Sequence, residues 1–266
     1  MPEGHTVHRT ANQFNRLFAG QRVSITSPQG RFRSGAKLIN GSVLHKARAI
    51  GKQLFLEFEN GLSLRIHLGI YGKWAFSTFE TNNPPAPIGE VRARFIAGNQ
   101  LADLRGPTVC EVLNSEEIFV VEKRLGPDPL HSDPKGSLQQ RFIDRVSGSK
   151  TAIGLLLMNQ EVVSGIGNVY RAELLFRAGI NPHTPGNRVS EEKLVELWRD
   201  ARDLLKVGVK TGFMITRDEL LTKNPSKEDR NYIYKREGQP CRRCGTNISI
   251  ELMAGRKLYW CVGCQN

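Results

Sequence analysis

Cys241-Arg242-Arg243-Cys244 and Cys261-Val262-Gly263-Cys264 frame residues 238–266, GQPCRRCGTNISIELMAGRKLYWCVGCQN, and no other stretch constrains the architecture as tightly. Two Cys-x-x-Cys pairs with sixteen residues between them match the two-plus-two thiolate spacing of a structural zinc site. Each pair makes a tight turn that aims two sulfurs at one ion. Four thiolates fill a tetrahedral shell, so the metal keeps no open position for catalysis. Between the pairs, Ile248 to Leu252 and Lys257 to Trp260 alternate like two strands, with Ala254-Gly255 at the bend. The stretch reads as a β-hairpin clamped by one structural Zn2+. Arg256 stands at its tip beside Lys257, where a cation on a rigid support suits a phosphate. A hairpin that only stabilises a small fold or binds protein would have the same cysteine pattern.

Residues 216–237 hold few periodic apolar side chains and read as a loop. Before them the apolar spacing predicts helices over roughly 136–146, 151–158, 168–178 and 190–207, the last with Glu191 and Glu192 in its first turn, where acids complement the helix dipole. Val162-Val163-Ser164-Gly165-Ile166-Gly167-Asn168 leads into the third of these. Asn168 is a favoured cap type, the glycines allow close backbone approach, and a helix start attracts phosphate. A helix, a glycine turn and a second helix suit a clamp on a DNA backbone, and they also suit a plain helix connection. Gly126-Pro127-Asp128-Pro129 and Ser132-Asp133-Pro134 mark a turn-rich connector. Ahead of it, residues 5–20 read as a helix through Val7, Phe14, Leu17 and Phe18, and residues 22–113 read as short strands. Gln53 to Phe58 and Leu62 to Ile66 flank Asn60-Gly61, and Val91 to Ile96 and Gln100 to Leu104 flank Gly98-Asn99, two hairpin signals that suggest a β-sandwich or barrel. The expected organisation is an α+β chain of several domains. It comprises an N-terminal helix with a β-sandwich over 1–124, a linker over 125–135, a helical domain over 136–235 and the zinc hairpin over 236–266.

The 266 residues are 39% hydrophobic, enough to bury a sizeable core. No run of about 18 apolar residues is present, which excludes a membrane-spanning helix. MPEGHTVHRT lacks the apolar run of a secretory signal, so a cytoplasmic location with reduced thiols is expected rather than a disulfide framework. Lys and Arg number 38 against 26 Asp and Glu, a formal charge of +12. That surplus favours a polyanionic partner, nucleic acid foremost, and no basic amphipathic helix argues for a membrane surface. Cys110 stands apart from the cluster and reads as a buried strand thiol; His5, His8, His45 and His67 show no metal-ligand spacing; Trp74, Trp198 and Phe176 read as core.

Pro2 follows the initiator Met, and small second residues allow removal of that Met, leaving a secondary amine. Such an amine forms an iminium with an aldehyde unaided. An α-amino group has a reference pKa of about 7.7–8.0 against about 10.4 for Lys, so more of it is neutral near pH 7. Glu3 stands beside it as a group able to move protons.

Met1-Pro2-Glu3-Gly4, Gly51-Lys52, His67-Leu68-Gly69, Gly165-Ile166-Gly167-Asn168-Val169-Tyr170, Glu173-Leu174-Leu175-Phe176 and the cysteine hairpin with Arg256 occur in one order along the whole chain. In this the sequence resembles the formamidopyrimidine-DNA glycosylase and endonuclease VIII family of base-excision enzymes. The resemblance implies a catalytic N-terminal domain, a helix-two-turn-helix domain and a zinc finger. It implies Pro2 as the nucleophile at C1′ of a damaged nucleotide, Glu3 as acid and base at the sugar, and Lys52 as a cation near phosphate and a proton source. It further implies Asn168 and Arg256 as phosphate grips, followed by β,δ-elimination of the strand. In that family, side chains on inter-strand loops fill the gap left by the extruded base. The formamidopyrimidine enzymes carry Met at the first such position and an Arg-x-Phe later. Here those positions read Ile70-Tyr71 and Arg105-Gly106-Pro107, without the aromatic, and the 216–237 loop departs from the loop that covers oxidised guanine. The opening Met-Pro-Glu-Gly-His-Thr looks like the actinobacterial endonuclease VIII-like group, which implies oxidised pyrimidines as substrates. The expectation is a monomeric bacterial enzyme acting on damaged double-stranded DNA in the nucleoid. The alternatives are a glycosylase preferring 8-oxoguanine and formamidopyrimidines, and a non-catalytic binder of damaged DNA.

Overall fold

Val7, Ala11 and Phe14 fall on one face of helix α1 (Gly4–Leu17), and burial of that face, with Phe18 just beyond, fixes the helix on a β structure. The structure, a computed structural model, describes residues 2–80 and 83–266, and the chain divides into two units between Arg124 and Leu125.

In the first unit, α1 is followed by β1 (Ser24–Thr26), α2 (Arg33–Ile39), β2 (Leu44–Ile50), β3 (Gln53–Phe58), β4 (Ser63–His67), β5 (Lys73–Thr78), β6 (Val91–Ala97), β7 (Gln100–Arg105), β8 (Val109–Leu113) and α3 (Ser115–Arg124). The described strands form two antiparallel four-stranded sheets, ordered β1-β6-β7-β5 and β2-β3-β4-β8. Both inferred hairpins are present, with Leu54 opposite Ile66 and Phe95 opposite Ala102. One apolar core takes Leu54 and Leu56, Leu64 and Ile66, Phe95, Ala102 and Leu104 from the two sheets and Phe14 from α1. Phe14 meets Trp74, Phe76 and Phe95 edge-on at centroid distances of 4.8, 5.1 and 5.7 Å.

The second unit contains α4 (Ser137–Ser147), α5 (Ile153–Leu156), α6 (Asn168–Ala178), α7 (Glu191–Thr211) and the hairpin β9 (Ser249–Met253) and β10 (Arg256–Trp260). Helix α6 is buried on nearly every side. Tyr170, Leu174 and Leu175 join the core made with α4 and α7, whereas Ala172 and Phe176 join Tyr232, Ile233, Ile248 and Tyr259 under the hairpin.

Several boundaries differ from the sequence reading. Helix α2 interrupts the 22–113 stretch that reads as strands, and α3 lies beyond the predicted elements. The second predicted helix shrinks to α5, because Asn159 and Gln160 turn the chain through hydrogen bonds to their own neighbours. Helix α7 runs on to Thr211 and stops where Gly212 takes the left-handed φ of 82°. Asn168 is the first residue of α6 rather than its cap; extended Gly167 occupies the cap position, which frees the Asn168 side chain for another contact. Residues 216–237 form a largely irregular segment with two short 3-10 turns, at 218–220 and 227–229.

Candidate active site and metal centre

Strand register gathers one set of expected site residues at one end of the first unit. Gln53 pairs with His67 and His67 with Val109, so the Gly51-Lys52 turn, the β4–β5 link and the β7–β8 link share that end. Lys73 pairs with Arg105 and Arg105 with Val91, which adds the start of β6. Helix α1 runs against β2: Gly20 N–H donates to Leu44 O at 2.8 Å, and the Asn15 amide brackets the backbone of Ala47 with two bonds of 2.7 Å. From Asn15 back to Gly4, and from Ala47 on to Lys52, the chain covers about 16 Å in each case. Pro2 and Glu3, at the head of α1, therefore lie at the Gly51-Lys52 end. Glu3 is buried, and its carbonyl accepts the first N–H bonds of the helix. Met1 lies outside the described residues.

Burial, with Arg9 and His8 nearby, pushes His5 down to about 3, and burial with the Lys52 and Arg65 charges lowers His67. Both imidazoles are therefore held neutral at pH 7. Gly69 adopts φ 64°, where a Cβ would strike Thr108 Oγ1, and a Cβ on Gly72 would strike Leu68 O. The two glycines close a turn that displays Ile70 and Tyr71, 53% and 86% exposed. Arg105 ends β7; its guanidinium donates to Ile88 O at 3.0 Å and to Asp103 at 3.1 Å.

In the second unit the structure draws together the glycine turn and the hairpin tip. Asn168 Nδ2 donates to Lys257 O at 2.8 Å, and Asn168 Oδ1 accepts from Arg171 Nη2 at 2.5 Å. Arg256, exposed at the start of β10, is the residue next to that carbonyl, beyond a bend in which Ala254 and Gly255 take φ of 49° and 72°. Gln160 shapes the glycine turn, accepting from Gly165 N–H at 3.0 Å and donating to Ile166 O at 3.0 Å. Glu173, fully buried, accepts four hydrogen bonds. Oε2 takes Thr216 Oγ1 at 2.5 Å and Tyr232 N–H at 2.8 Å; Oε1 takes Ile233 N–H at 2.9 Å and Tyr234 N–H at 2.8 Å. Sequence reasoning singled out neither Gln160 nor Arg171, and quoted Glu173 within a family motif without giving it a role. The signal for the last two was present: charged residues inside an otherwise apolar helix must be paired if it is buried all round.

The four hairpin sulfurs all lie within 4.8 Å of one another, with Cys241–Cys264 at 3.9 Å and Cys244–Cys261 at 3.5 Å. Tetrahedral zinc with Zn–S of about 2.3 Å requires sulfurs about 3.8 Å apart, so the four residues fit the ion. Hydrogen bonds from Thr246 draw the Cys244 thiol down to about 6, while burial raises Cys261 and Cys264. Gln265 ties the cluster to the helical core, accepting from Cys261 N–H and donating to Ile180 O, each at 2.9 Å. Arg243 stacks on Phe176 and Tyr232 and donates to the carbonyls of Phe176 and Arg177 at the end of α6. Cys110, expected as a buried thiol, is only partly buried in β8; desolvation there still pushes its thiol up to about 12, and it is no part of this cluster.

Two family models match the chain, the formamidopyrimidine-DNA glycosylase N-terminal domain over residues 1–108 and the formamidopyrimidine-DNA glycosylase H2TH domain over 125–219. Together the two models mark the chain as a DNA-repair glycosylase. Endonuclease 8 1 of Mycobacterium tuberculosis is 44% identical over 272 residues, spanning both chains in full. Formamidopyrimidine-DNA glycosylase of Paraburkholderia phymatum is 29% identical over 284 residues, again spanning both. The Lactococcus lactis Fpg, solved in complex with DNA containing an abasic site, superposes with a TM-score of 0.81 over 99% of each chain at 23% identity, a likeness of fold. The chain belongs to the endonuclease 8 and formamidopyrimidine-DNA glycosylase family, whose members are DNA glycosylases and AP lyases of base excision repair. No helix among the described residues is long and apolar enough to cross a membrane.

Proposed function

We propose that this chain excises oxidised bases, pyrimidines foremost, from duplex DNA through a Schiff base on Pro2, and then cleaves the strand by β,δ-elimination. The observation that carries the reading is the gathering of Pro2, Glu3 and Lys52 at the same end of the first unit as exposed Ile70 and Tyr71. The Pro2 nitrogen, exposed once Met1 is removed, bonds to C1′ of the extruded nucleotide, and the base departs with the electron pair of the glycosidic bond. The ring oxygen then leaves C1′, taking a proton from Glu3, and an iminium forms. That iminium is an electron sink. It acidifies C2′, loss of that proton breaks the bond to the 3′ phosphate, and a second proton loss releases the 5′ phosphate. Lys52, facing neutral His67, is the cation beside the phosphate and a source of protons. On the second unit, Asn168 and Arg256 hold phosphates of the same strand. Residues 1–124 act as the catalytic domain, 136–235 as the helical clamp beyond a 125–135 linker, and 236–266 as the zinc finger, the whole acting as a monomer.

Preference for pyrimidine lesions follows from the resemblance of the Met-Pro-Glu-Gly-His-Thr opening to the endonuclease VIII-like group, and the 44% identity to an endonuclease 8 agrees with it. Bases that are damaged and weakly paired cost least to extrude. The test is borohydride trapping on duplexes carrying an abasic site, an oxidised pyrimidine or 8-oxoguanine. A covalent adduct is expected with the wild type, strongest on the pyrimidine lesion, and none with Pro2→Gly. An undiminished adduct in Pro2→Gly overturns the nucleophile, and a stronger adduct on 8-oxoguanine overturns the preference.

A further inference from the structure

Ile88 is 79% exposed, yet the backbone that carries it is held by side-chain hydrogen bonds. It lies in Asn83-Pro84-Pro85-Ala86-Pro87-Ile88-Gly89-Glu90, between β5 and β6. Three prolines restrict that backbone. Two arginines grip it from the sheet below: buried Arg94 donates to Pro85 O at 2.6 Å, and Arg105 donates to Ile88 O at 3.0 Å. Asp103, also buried, holds both guanidiniums, Arg94 through two bonds of 2.8 and 2.9 Å and Arg105 at 3.1 Å. Gln29 fastens the far side, donating its backbone N–H to Val91 O at 3.0 Å and its side-chain amide to Glu90. A loop that only connected two strands would need no such frame.

The frame also fixes where Ile88 stands. Arg105 is the last residue of β7, and the Cβ position of the next residue, Gly106, is 3.6 Å from Tyr71 O. The segment holding Ile88, the turn displaying Ile70 and Tyr71, and the β7–β8 link are therefore neighbours at one end of the unit. Three large apolar side chains are set out there in water, each on a backbone locked by glycine geometry or by buried polar groups.

We infer that Ile88 is a third side chain offered to the gap left by an extruded base, with Arg105 as the residue that positions it. This rests on the reading of the chain as a base-extruding glycosylase. It places in the β5–β6 segment an apolar contact that Arg105-Gly106-Pro107 does not supply. Arg105 spends its guanidinium on Ile88 O and Asp103, so its part is to hold the contact and not to enter the stack.

The test compares wild type, Ile88→Ala and Ile88→Leu on a lesion duplex, an abasic duplex and the same abasic strand unpaired. Only paired DNA leaves a gap to fill. Truncation to Ala is expected to lower the ratio of duplex to single-strand rates by about tenfold, and Leu, of equal volume, to restore it. Because Ile88 is exposed, thermal unfolding of Ile88→Ala should match wild type. An unchanged rate ratio in Ile88→Ala, with wild type active, overturns the assignment of Ile88 and leaves the glycosylase reading standing. Wild type without activity on any of the three substrates overturns that reading and this inference with it.

Discussion

Replacing Glu173 by Gln, an exchange of nearly equal shape, should cost this protein several kcal/mol. Each carboxylate oxygen accepts two bonds, Oε2 from Thr216 Oγ1 and Tyr232 N–H, Oε1 from the N–H groups of Ile233 and Tyr234. A carboxamide has one acceptor oxygen. Turned towards Ile233 and Tyr234, its NH2 would face two N–H donors; turned towards Thr216 and Tyr232 it orphans only the Tyr232 N–H, because the Thr216 hydroxyl can accept from the NH2 and donate to Arg230 O. Hydrogen bonds to a charged group are worth about 1.5–3 kcal/mol each, so the one lost bond, with the charge removed from the other three, amounts to about 2–4 kcal/mol, a large share of a domain's stability of about 5–15 kcal/mol. Thr216→Val removes a single bond, from one oxygen that keeps its other partner, and should cost about 1–3 kcal/mol. Urea unfolding of the zinc-loaded chain gives the free energies. Amide exchange of residues 232–234 locates the damage, because these N–H groups should lose protection first. A Glu173→Gln protein within about 1 kcal/mol of wild type, with those amides still protected, would refute the reasoning.

Two further outcomes follow from the same kind of accounting. Chelation should release one zinc per chain, unfold the 238–266 hairpin and abolish DNA binding, since four thiolates leave the ion no catalytic position; metal-free protein that still binds DNA contradicts this. His5 has a folded pKa of about 3 against about 6.5 unfolded, so its contribution is complete above pH 6.5 and is lost as pH falls from there towards 3. Between pH 7 and pH 4.5 the wild type should lose about 2–3 kcal/mol through this residue, in addition to losses from other groups. His5→Asn should show a correspondingly smaller fall in denaturant titrations at the two pH values, and equal falls would exclude His5 as the source.

The regular parts of the fold were legible because burial imposes a period. Phe14 and Phe18 announce α1, Asn60-Gly61 and Gly98-Asn99 announce the hairpins, and the cysteine spacing announces the metal site. Helix α3 escaped because it buries only Ile118, leaving almost no apolar stripe to read. Its signal was a capping box: Asn114 Oδ1 accepts from Glu117 N–H at 3.0 Å, and Glu117 accepts from Asn114 N–H at 2.9 Å. Helix α2 offered neither a cap nor a long stripe, with Ala36 and Ile39 its only buried residues. Asn168 looked like a cap from its type alone; that its amide reaches Lys257 depends on a hairpin 89 residues further on, which no local pattern encodes.

That last case points to a rule about the site as a whole. The groups proposed to meet DNA stand on irregular backbone or at the element ends beside it: the Gly69–Gly72 turn, the proline segment, the glycine turn before α6 and the bend of the hairpin. Irregular backbone cannot satisfy itself, so its polar groups must be met by side chains if it is to stay rigid. Here those side chains are Arg94 and Arg105 beneath the proline segment, Gln160 within the glycine turn, and Asn168 and Arg171 on Lys257 O. Extrusion of a base costs a few kcal/mol before any chemistry occurs. A loop that had to order itself at that moment would add its own entropy to this cost, at about 1–2 kcal/mol per residue fixed. Buried polar side chains spent on holding loops in advance remove that addition. Arg94, Arg105, Gln160 and Arg171 are therefore best explained as the supports on which the residues proposed to face DNA are displayed.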